Sequence, residues 1–168
     1  SQISTVYFLQ YLTNLTELNL SNNQIDDISC LEGLVNLTTL DLHRNQIQDI
    51  TSLKDLKNLH SLALGANQIQ DISPLQELSL METLILDSNL IHDILPLRKL
   101  VKLKVLNLDE NQIEEITLSF LNALPSLEKL YIQGNSNLNI PSVIYNETRY
   151  SSGFSDDYYK GNCLEDVR

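Results

Sequence analysis

Carboxylate and amide side chains are concentrated in the stretch NNQIDDIS, which contains Asn22, Asn23, Asp26 and Asp27. Such a group could bind a divalent cation through oxygen ligands or divide the acid and base roles of a hydrolysis. The stretch is one of a series, however. NQIDDI at 23–28 is followed at intervals of 22 residues by NQIQDI, NQIQDI, NLIHDI and NQIEEI, which begin at 45, 67, 89 and 111. An active site is not built five times along one chain, so the series predicts a structural ladder.

The whole repeating unit reads LxxLxLxxNxIxDIxxLxxLxx, with copies that start at 15, 37, 59, 81, 103 and 127. Alternating apolar residues point to one side of a strand, and so short a strand buries that side only by stacking on identical neighbours. Over residues 1–141 the unit resembles the leucine-rich repeat. The resemblance implies an α/β solenoid, a right-handed horseshoe with a concave parallel β-sheet. Units this short predict 3₁₀ or similar segments on the convex side, and the 24-residue copy from 103 has room for a fuller helix.

The Asn of each unit has a structural explanation. The chain turns sharply there and exposes backbone groups inside the coil, to which an amide side chain offers donors and an acceptor. We therefore assign a structural ladder to Asn23, Asn45, Asn67, Asn89, Asn111 and Asn135. In five copies an acid lies four residues after this Asn, and in four of the five a Ser or Thr lies two residues after the acid. Both residue types are typical of caps at short helical segments. The alternative is an acidic stripe that attracts a basic partner.

Both ends depart from the repeat. Residues 1–14 align with the second half of a unit, so we expect the solenoid to be cut from something longer. Pro141 ends the pattern, and residues 142–161 change composition toward Tyr, Ser and Gly, which predicts a cap or loop. NCLEDVR, at 162–168, has capping signals at Asn162 and Glu165. It predicts the start of a helix that leads to a missing downstream domain.

Composition argues against several classes of protein. A formal charge of −11 does not favour nucleic acid or anionic membranes as partners, since both attract clustered Lys and Arg. Two isolated cysteines, Cys30 and Cys163, favour a reducing, cytoplasmic compartment. His43, His60 and His92 occupy different repeat positions and should not converge on a metal. No P-loop or nucleophile motif occurs. We therefore expect a non-catalytic protein without a cofactor or metal.

Outward-facing strand positions vary while inward ones stay fixed, as in a scaffold that presents a surface. By alternation we expect these to face solvent on the concave side: Glu17, Asn19, Ser21, Thr39, Asp41, His43, Ser61, Ala63, Gly65, Thr83, Ile85, Asp87, Val105, Asn107, Asp109, Lys129, Tyr131 and Gln133. We predict that the partner is bound by Asp41, His43, Arg44, Ile85, Asp87, Asp109, Glu110, Lys129 and Tyr131. Small residues at 61–66 would leave a dip rimmed by acids, which favours a basic partner. The alternative is an ordinary solvated surface.

Finer resemblances suggest a setting. The 22-residue form with NxIxDI is similar to phosphatase-regulatory repeats, which implies a regulatory scaffold. It is also similar to bacterial internalins, which implies a secreted or surface adhesion module. LYIQGNSNLNIPSVIY (130–145), followed by NCLEDVR, resembles the end of the repeat domain in bacterial Roco proteins. This last resemblance implies a cytoplasmic recognition domain upstream of a GTPase, acting on a protein or on another domain of its own chain. We take it as the leading interpretation.

Overall fold

A computed structural model describes residues 6–139, 149–151 and 163–165. The strands are β1 (Glu17–Asn19), β2 (Thr39–Asp41), β3 (Ser61–Ala63), β4 (Thr83–Ile85), β5 (Val105–Asn107), β6 (Lys129–Tyr131), β7 (Arg149–Ser151) and β8 (Cys163–Glu165). The 3₁₀ segments are Tyr7–Tyr11, Ser29–Leu31, Thr51–Leu53, Ser73–Leu75 and Leu95–Lys99, and the α-helix α1 is Leu118–Asn122. The predicted solenoid is confirmed, including the fuller helix in the longest repeat. Within the described ranges, no helix is long and apolar enough to cross a bilayer.

Strands β1 to β6 form one parallel sheet in chain order. Their central leucines lie in register, so that Leu18 pairs with Leu40 and Leu106 with Leu130. The register continues past the strand ends, where the Ala66 amide donates to the carbonyl of Asp87 at 2.8 Å. Equivalent residues of successive coils are therefore lateral neighbours, and each repeat column becomes a row across the sheet.

The Leu and Ile positions of the repeat fill a continuous core. In one central coil, the fully or almost fully buried residues are Leu59, Leu62, Leu64, Ile69, Ile72, Leu75 and Leu78. Burial depends on both neighbouring coils. Leu34 is completely buried, whereas its equivalent in the first described coil, Leu12, is 45% exposed. The apolar stack is thus held together by contacts between nearest neighbours, as expected of a solenoid.

The asparagine ladder joins each coil to the one before it. Asn67 donates through Nδ2 to the carbonyls of Leu64 (2.9 Å) and Leu42 (3.0 Å), and its Oδ1 accepts from the Ile47 amide (3.0 Å). The same three bonds are made by Asn45, Asn89, Asn111 and Asn135. Asn23 donates to Leu20 and Ser21 of its own coil. One side chain therefore satisfies three backbone groups at every turn.

The residue before each ladder asparagine adopts the left-handed backbone region. It is Asn22, Arg44, Ala66, Ser88 or Glu110, with φ between 53° and 58°, and Gly134 at 76° in the last coil. Side chains other than Gly, Asn and Asp rarely adopt this region, at a cost of roughly 1–2 kcal/mol. The ladder bonds on either side offset that cost in every coil.

Acidic side chains begin the convex segments. Oδ1 of Asp27 accepts a hydrogen bond from the Ser29 amide at 2.8 Å. Oδ1 of Asp49, Asp71 and Asp93 likewise accepts from the backbone amide two residues later. The acid itself makes this bond, because the N-cap residue of these 3₁₀ segments is an isoleucine that makes no side-chain cap bond. The Ser73 hydroxyl donates to Oδ2 of Asp71 at 2.9 Å. Thr117 is different, because its hydroxyl accepts from the Phe120 amide and caps α1.

The C-terminal end differs from the sequence-based expectation. We expected a helix to begin at Asn162, but Cys163–Glu165 form β8, which pairs antiparallel with β6 and with β7. The backbone groups along the outer edge of β6 provide partners for a strand, whereas the local capping signals offered a helix only its own hydrogen bonds. The rest of the expected cap and helix, at 140–148, 152–162 and 166–168, lies outside the described residues.

Replacing a ladder residue tests how much the turns depend on it. Asn89→Ala should lower the free energy of unfolding by about 3–5 kcal/mol, because it leaves the carbonyls of Leu64 and Leu86 and the amide of Ile69 buried without this partner. Urea denaturation followed by circular dichroism measures the change. Gln70→Ala, which removes an exposed amide one coil earlier, is the control and should change stability little. Equal losses would contradict a special role for the ladder.

The left-handed backbone positions predict that replacement of a non-glycine residue by Gly increases stability. Ala66→Gly should stabilise the fold by about 0.5–1 kcal/mol, because relief at φ 53° exceeds the extra entropy of Gly in the unfolded chain. Ala123→Gly, at the right-handed end of α1 with φ −77°, should instead destabilise by about 0.5–1 kcal/mol. Thermal unfolding of both variants provides the comparison, and a loss of stability in both would refute the argument.

Candidate functional site

The concave face consists of parallel rows of side chains. One row is formed by the last residues of strands β2 to β6, which lie side by side: Asp41, Ala63, Ile85, Asn107 and Tyr131. A second row, two residues later, is formed by Ser21, His43, Gly65, Asp87, Asp109 and Gln133, since the backbone pairing continues through these residues. The predicted partner-binding residues other than Arg44, Glu110 and Lys129 belong to these two rows.

Hydrogen bonds fix the N-terminal part of these rows. Asn19 Nδ2 donates to Oδ2 of Asp41 at 3.1 Å, and Oδ1 of Asp41 accepts from the His43 amide at 3.0 Å. Both oxygens of Asp41 are therefore occupied within the protein. A partner would meet this half-buried carboxylate as a fixed acceptor.

Gly65 lies in the middle of the second row, and the side chains of its two neighbours in that row close over it. A Cβ at this position would meet a carboxylate oxygen of Asp87 and, at 2.7 Å, Nδ1 of His43. Only a residue without a side chain leaves room for both groups, which come from the coils on either side. The two side chains occupy the space that was expected to form a dip, and Gly65, which was expected to face solvent, is buried beneath them.

Besides Gly65, three polar positions expected to face solvent are nearly covered. Asp87 is 7% exposed, Asp109 9% and Asn107 1%. The amide of Gln133 donates to Oδ1 of Asp109 at 2.6 Å, and Oδ1 of Asn107 accepts from the Asp109 amide at 3.0 Å. Strand alternation gave their direction correctly, but neighbouring side chains in the same rows cover them. They form the floor of the face, and the expectation of solvent exposure is wrong for all three.

The two carboxylates on this floor are electrostatically unfavourable. Burial raises the pKa of Asp87, against the attraction of His43 and Arg44. Burial also raises the pKa of Asp109 to about 6; the Gln133 amide opposes this shift, and the negative charges of Asp87 and Glu110 add to it. A cation brought to this floor would relieve both costs.

The other predicted residues lie nearer the surface. Arg44 and Glu110 are exposed at left-handed turns three coils apart, so the structure does not bring them together. Ile85 is half-buried between Ala63 and Asn107, and Lys129 and Tyr131 are half-buried on β6. A partner that approaches the concave face would therefore contact these residues before it reaches the floor.

The side chains that could act as metal ligands are dispersed over the described residues. Within that part of the chain, no group of three or more His, Cys, Asp and Glu side chains could hold a metal ion. His43 lies on the concave face, while Nδ1 of His60 contacts the Asn58 carbonyl at 2.8 Å and His92 lies beside the turn after β4. The histidines are on separate coils, and the residues of the opening NNQIDDIS stretch belong to ladder and cap positions.

Comparison with known proteins agrees with the coil geometry. A model of two consecutive leucine-rich repeats matches residues 13–55 and 35–77, and a single-repeat model matches 102–124. The chain is a leucine-rich repeat protein. No significant match was found among curated proteins.

Solved structures with the same repeat fold include two internalins from Listeria monocytogenes. An internalin (inlF) is 40% identical with a TM-score of 0.78, over 83% of this chain and 40% of that one. Internalin C2 is 36% identical with a TM-score of 0.70, over 83% of this chain and 60% of that one. A plant peptide hormone receptor in complex with RGF2 is 23% identical, over 82% of this chain and 22% of that one, with a TM-score of 0.68; it shares the fold. This leucine-rich repeat chain thus spans 40% to 60% of the internalins' length.

Titration of the concave floor should affect stability. The folded pKa of Asp109, about 6, lies above the ordinary value of an aspartate, 3.8. The contribution of this side chain to stability is therefore fully present below about pH 4 and is lost as the pH rises through 6. Asp109→Asn keeps an acceptor for Gln133 and should unfold at the same urea concentration near pH 4. At pH 7 it should be roughly 1–2 kcal/mol more stable than the parent.

An acid with the opposite shift serves as the control for that experiment. The Ser29 amide and hydroxyl lower the pKa of Asp27, so its ionisation stabilises the fold above pH 3.8 and the benefit is lost as the pH falls. Asp27→Asn should therefore lose stability at pH 7 and match the parent in strong acid. The same sign of change in both variants at pH 7 would contradict the assigned electrostatics.

Proposed function

We propose that the chain is a non-catalytic recognition module that binds a protein, or another domain of its own chain, through its concave face. The observation that carries this proposal is the floor of that face. Asp87 and Asp109 are nearly buried there, and burial raises the pKa of each carboxyl group. Uncharged polar residues could occupy these two positions at a lower cost in folding free energy. Burial of two carboxylates is a cost that a cationic partner offsets when it binds.

The partner that fits this face has a basic surface. Asp41, Asp87, Asp109 and Glu110 give the two rows and their rim an acidic character, and the formal charge of the chain is −11. The field would draw a basic partner toward the protein, while the half-buried Ile85 and Tyr131 offer apolar contact at the rows themselves. Nucleic acids and anionic membranes fit this charge poorly.

Two settings for the module have support. An internalin-like adhesion module, secreted or on the cell surface, is supported by 36% and 40% identity to two internalins over 83% of the chain. A cytoplasmic module in a Roco-type GTPase is supported by the sequence LYIQGNSNLNIPSVIY at 130–145 and the NCLEDVR segment. A phosphatase-regulatory scaffold rests on the repeat type alone. We favour the internalin-like setting, because its support extends over most of the chain.

Site-specific photo-crosslinking in the producing cells tests the concave face directly. A photoreactive phenylalanine analogue at Ile85 or Tyr131 should form one discrete adduct, whereas the analogue at Val35, an exposed apolar residue away from both rows, should form none. The adduct should weaken as salt is raised, since the attraction is between charges on the surface. Mass spectrometry of the adduct then separates an extracellular protein, a GTPase domain and a phosphatase.

Two outcomes would count against the proposal. An adduct at Val35 as strong as that at Ile85 would mean that the concave face is not selective. An acidic partner, or one whose adduct grows with salt, would contradict the assigned electrostatic match. Charge reversal at Asp87 or Asp109 is the weaker test, because both side chains are nearly covered and their replacement would also disturb folding.

A further inference from the structure

The regular stacking changes at the last described coil. In regular coils the backbone after the ladder pairs one-to-one, as when the Gln112 amide donates to the Ile91 carbonyl at 2.9 Å. At the next step the donor is Asn139, which pairs with the Glu114 carbonyl at 2.8 Å. The sequence changes at the same place, because Leu138 lies three positions after Asn135 whereas each earlier Asn has Ile two positions on. Residues 136 and 137 are exposed, and the pairing of Glu115 with Asn139, each four positions after its ladder asparagine, keeps the common register.

A groove of about 720 Å³ lies beside residues 136 and 137. It runs across three coils, and its described lining consists of His92, Asp93, Ile94, Leu95, Gln112, Ile113, Glu114, Glu115, Thr117, Phe120, Ser136 and Asn137. The volume is in the range of protein ligand sites. The groove shares no residue with the two concave rows, so it constitutes a separate surface.

The floor and rim of the groove differ in chemistry. Ile94, Ile113 and Phe120 supply buried apolar surface, and the side chain of Leu95 is 59% exposed. Asp93, Glu114 and Glu115 are exposed acids, and none of the described lining residues is Lys or Arg. The groove therefore combines an apolar floor with an uncompensated acidic rim.

We propose that this groove is a second docking site, which takes an extended segment of a partner protein carrying Lys or Arg beside an apolar side chain. The apolar side chain packs against Leu95, and the cations pair with Glu114 and Glu115. Charge complementarity selects this occupant, because the acidic rim would repel an acidic segment. Three coils at roughly 4.8 Å spacing match about three residues of extended chain at about 3.3 Å each.

Fluorescence anisotropy with defined peptides tests the proposal. The probe is a short labelled peptide that alternates Lys with Leu; versions with Glu for Lys and with Ser for Leu are its controls. E114K combined with E115K should weaken binding by about tenfold or more. E32K combined with D55K makes the same charge change at exposed sites outside the groove and should have less than about a threefold effect. L95S should weaken binding several-fold, and V35S should not.

Methyl NMR of the unaltered protein locates the peptide independently of any variant's folding. The Ile94 and Ile113 methyl signals should shift on titration with the Lys–Leu peptide, and at lower peptide concentration than any shift of the Ile85 signal on the concave face. Equal weakening by the two charge-reversed pairs would overturn the proposal, as would shifts confined to Ile85 or equal binding of the Glu-containing peptide. None of these results would bear on crosslinking at the concave face.

Discussion

Each turn of the solenoid depends on one inward-facing amide side chain. The backbone groups that follow a strand face the interior, where they have neither a strand partner nor water, and the ladder asparagine supplies the missing bonds. Because Asn67 bonds to Leu42 of the preceding coil as well as to Leu64 of its own, the turn is complete only when two coils are stacked. Apolar burial and hydrogen bonding therefore impose the same condition, and a coil is stable only beside its neighbours.

This condition leaves the concave side chains free to vary, but only in part. The ladder and the inward Leu and Ile residues fix the backbone, so outward residues are not needed to hold the stack together. Neighbouring rows are nevertheless close enough to cover one another. Asp109 accepts from the Gln133 amide and Asn107 accepts from the Asp109 amide, so these polar residues are part of a connected floor. Such residues affect both the stability of the fold and the surface that a partner meets. A carboxylate buried among them carries an energetic cost in the free protein.

The fold could be predicted from the sequence because a strict period reports every interior position several times over. The candidate site could be predicted only in outline. Alternation gives the direction of Asp87 and Asp109 but not how closely adjacent rows pack, and it therefore missed their burial. The left-handed turns at Arg44 and Ala66 carry no signal in their residue types. The strand at Cys163–Glu165 depends on a distant sheet edge, which local capping signals do not report.

Departures from the repeat are where specificity can arise, since identical coils present identical surfaces. Gly65 interrupts the side chains of the second concave row and lets those of His43 and Asp87 approach each other. The apolar residue after Asn135 is shifted by one position, and the groove lies beside this last coil. Both surfaces are acidic, so attraction at long range would bring a basic partner to either one. Discrimination must then come from shape and from apolar contact at close range. These differ, because the concave floor contains buried polar side chains and the groove has an apolar floor.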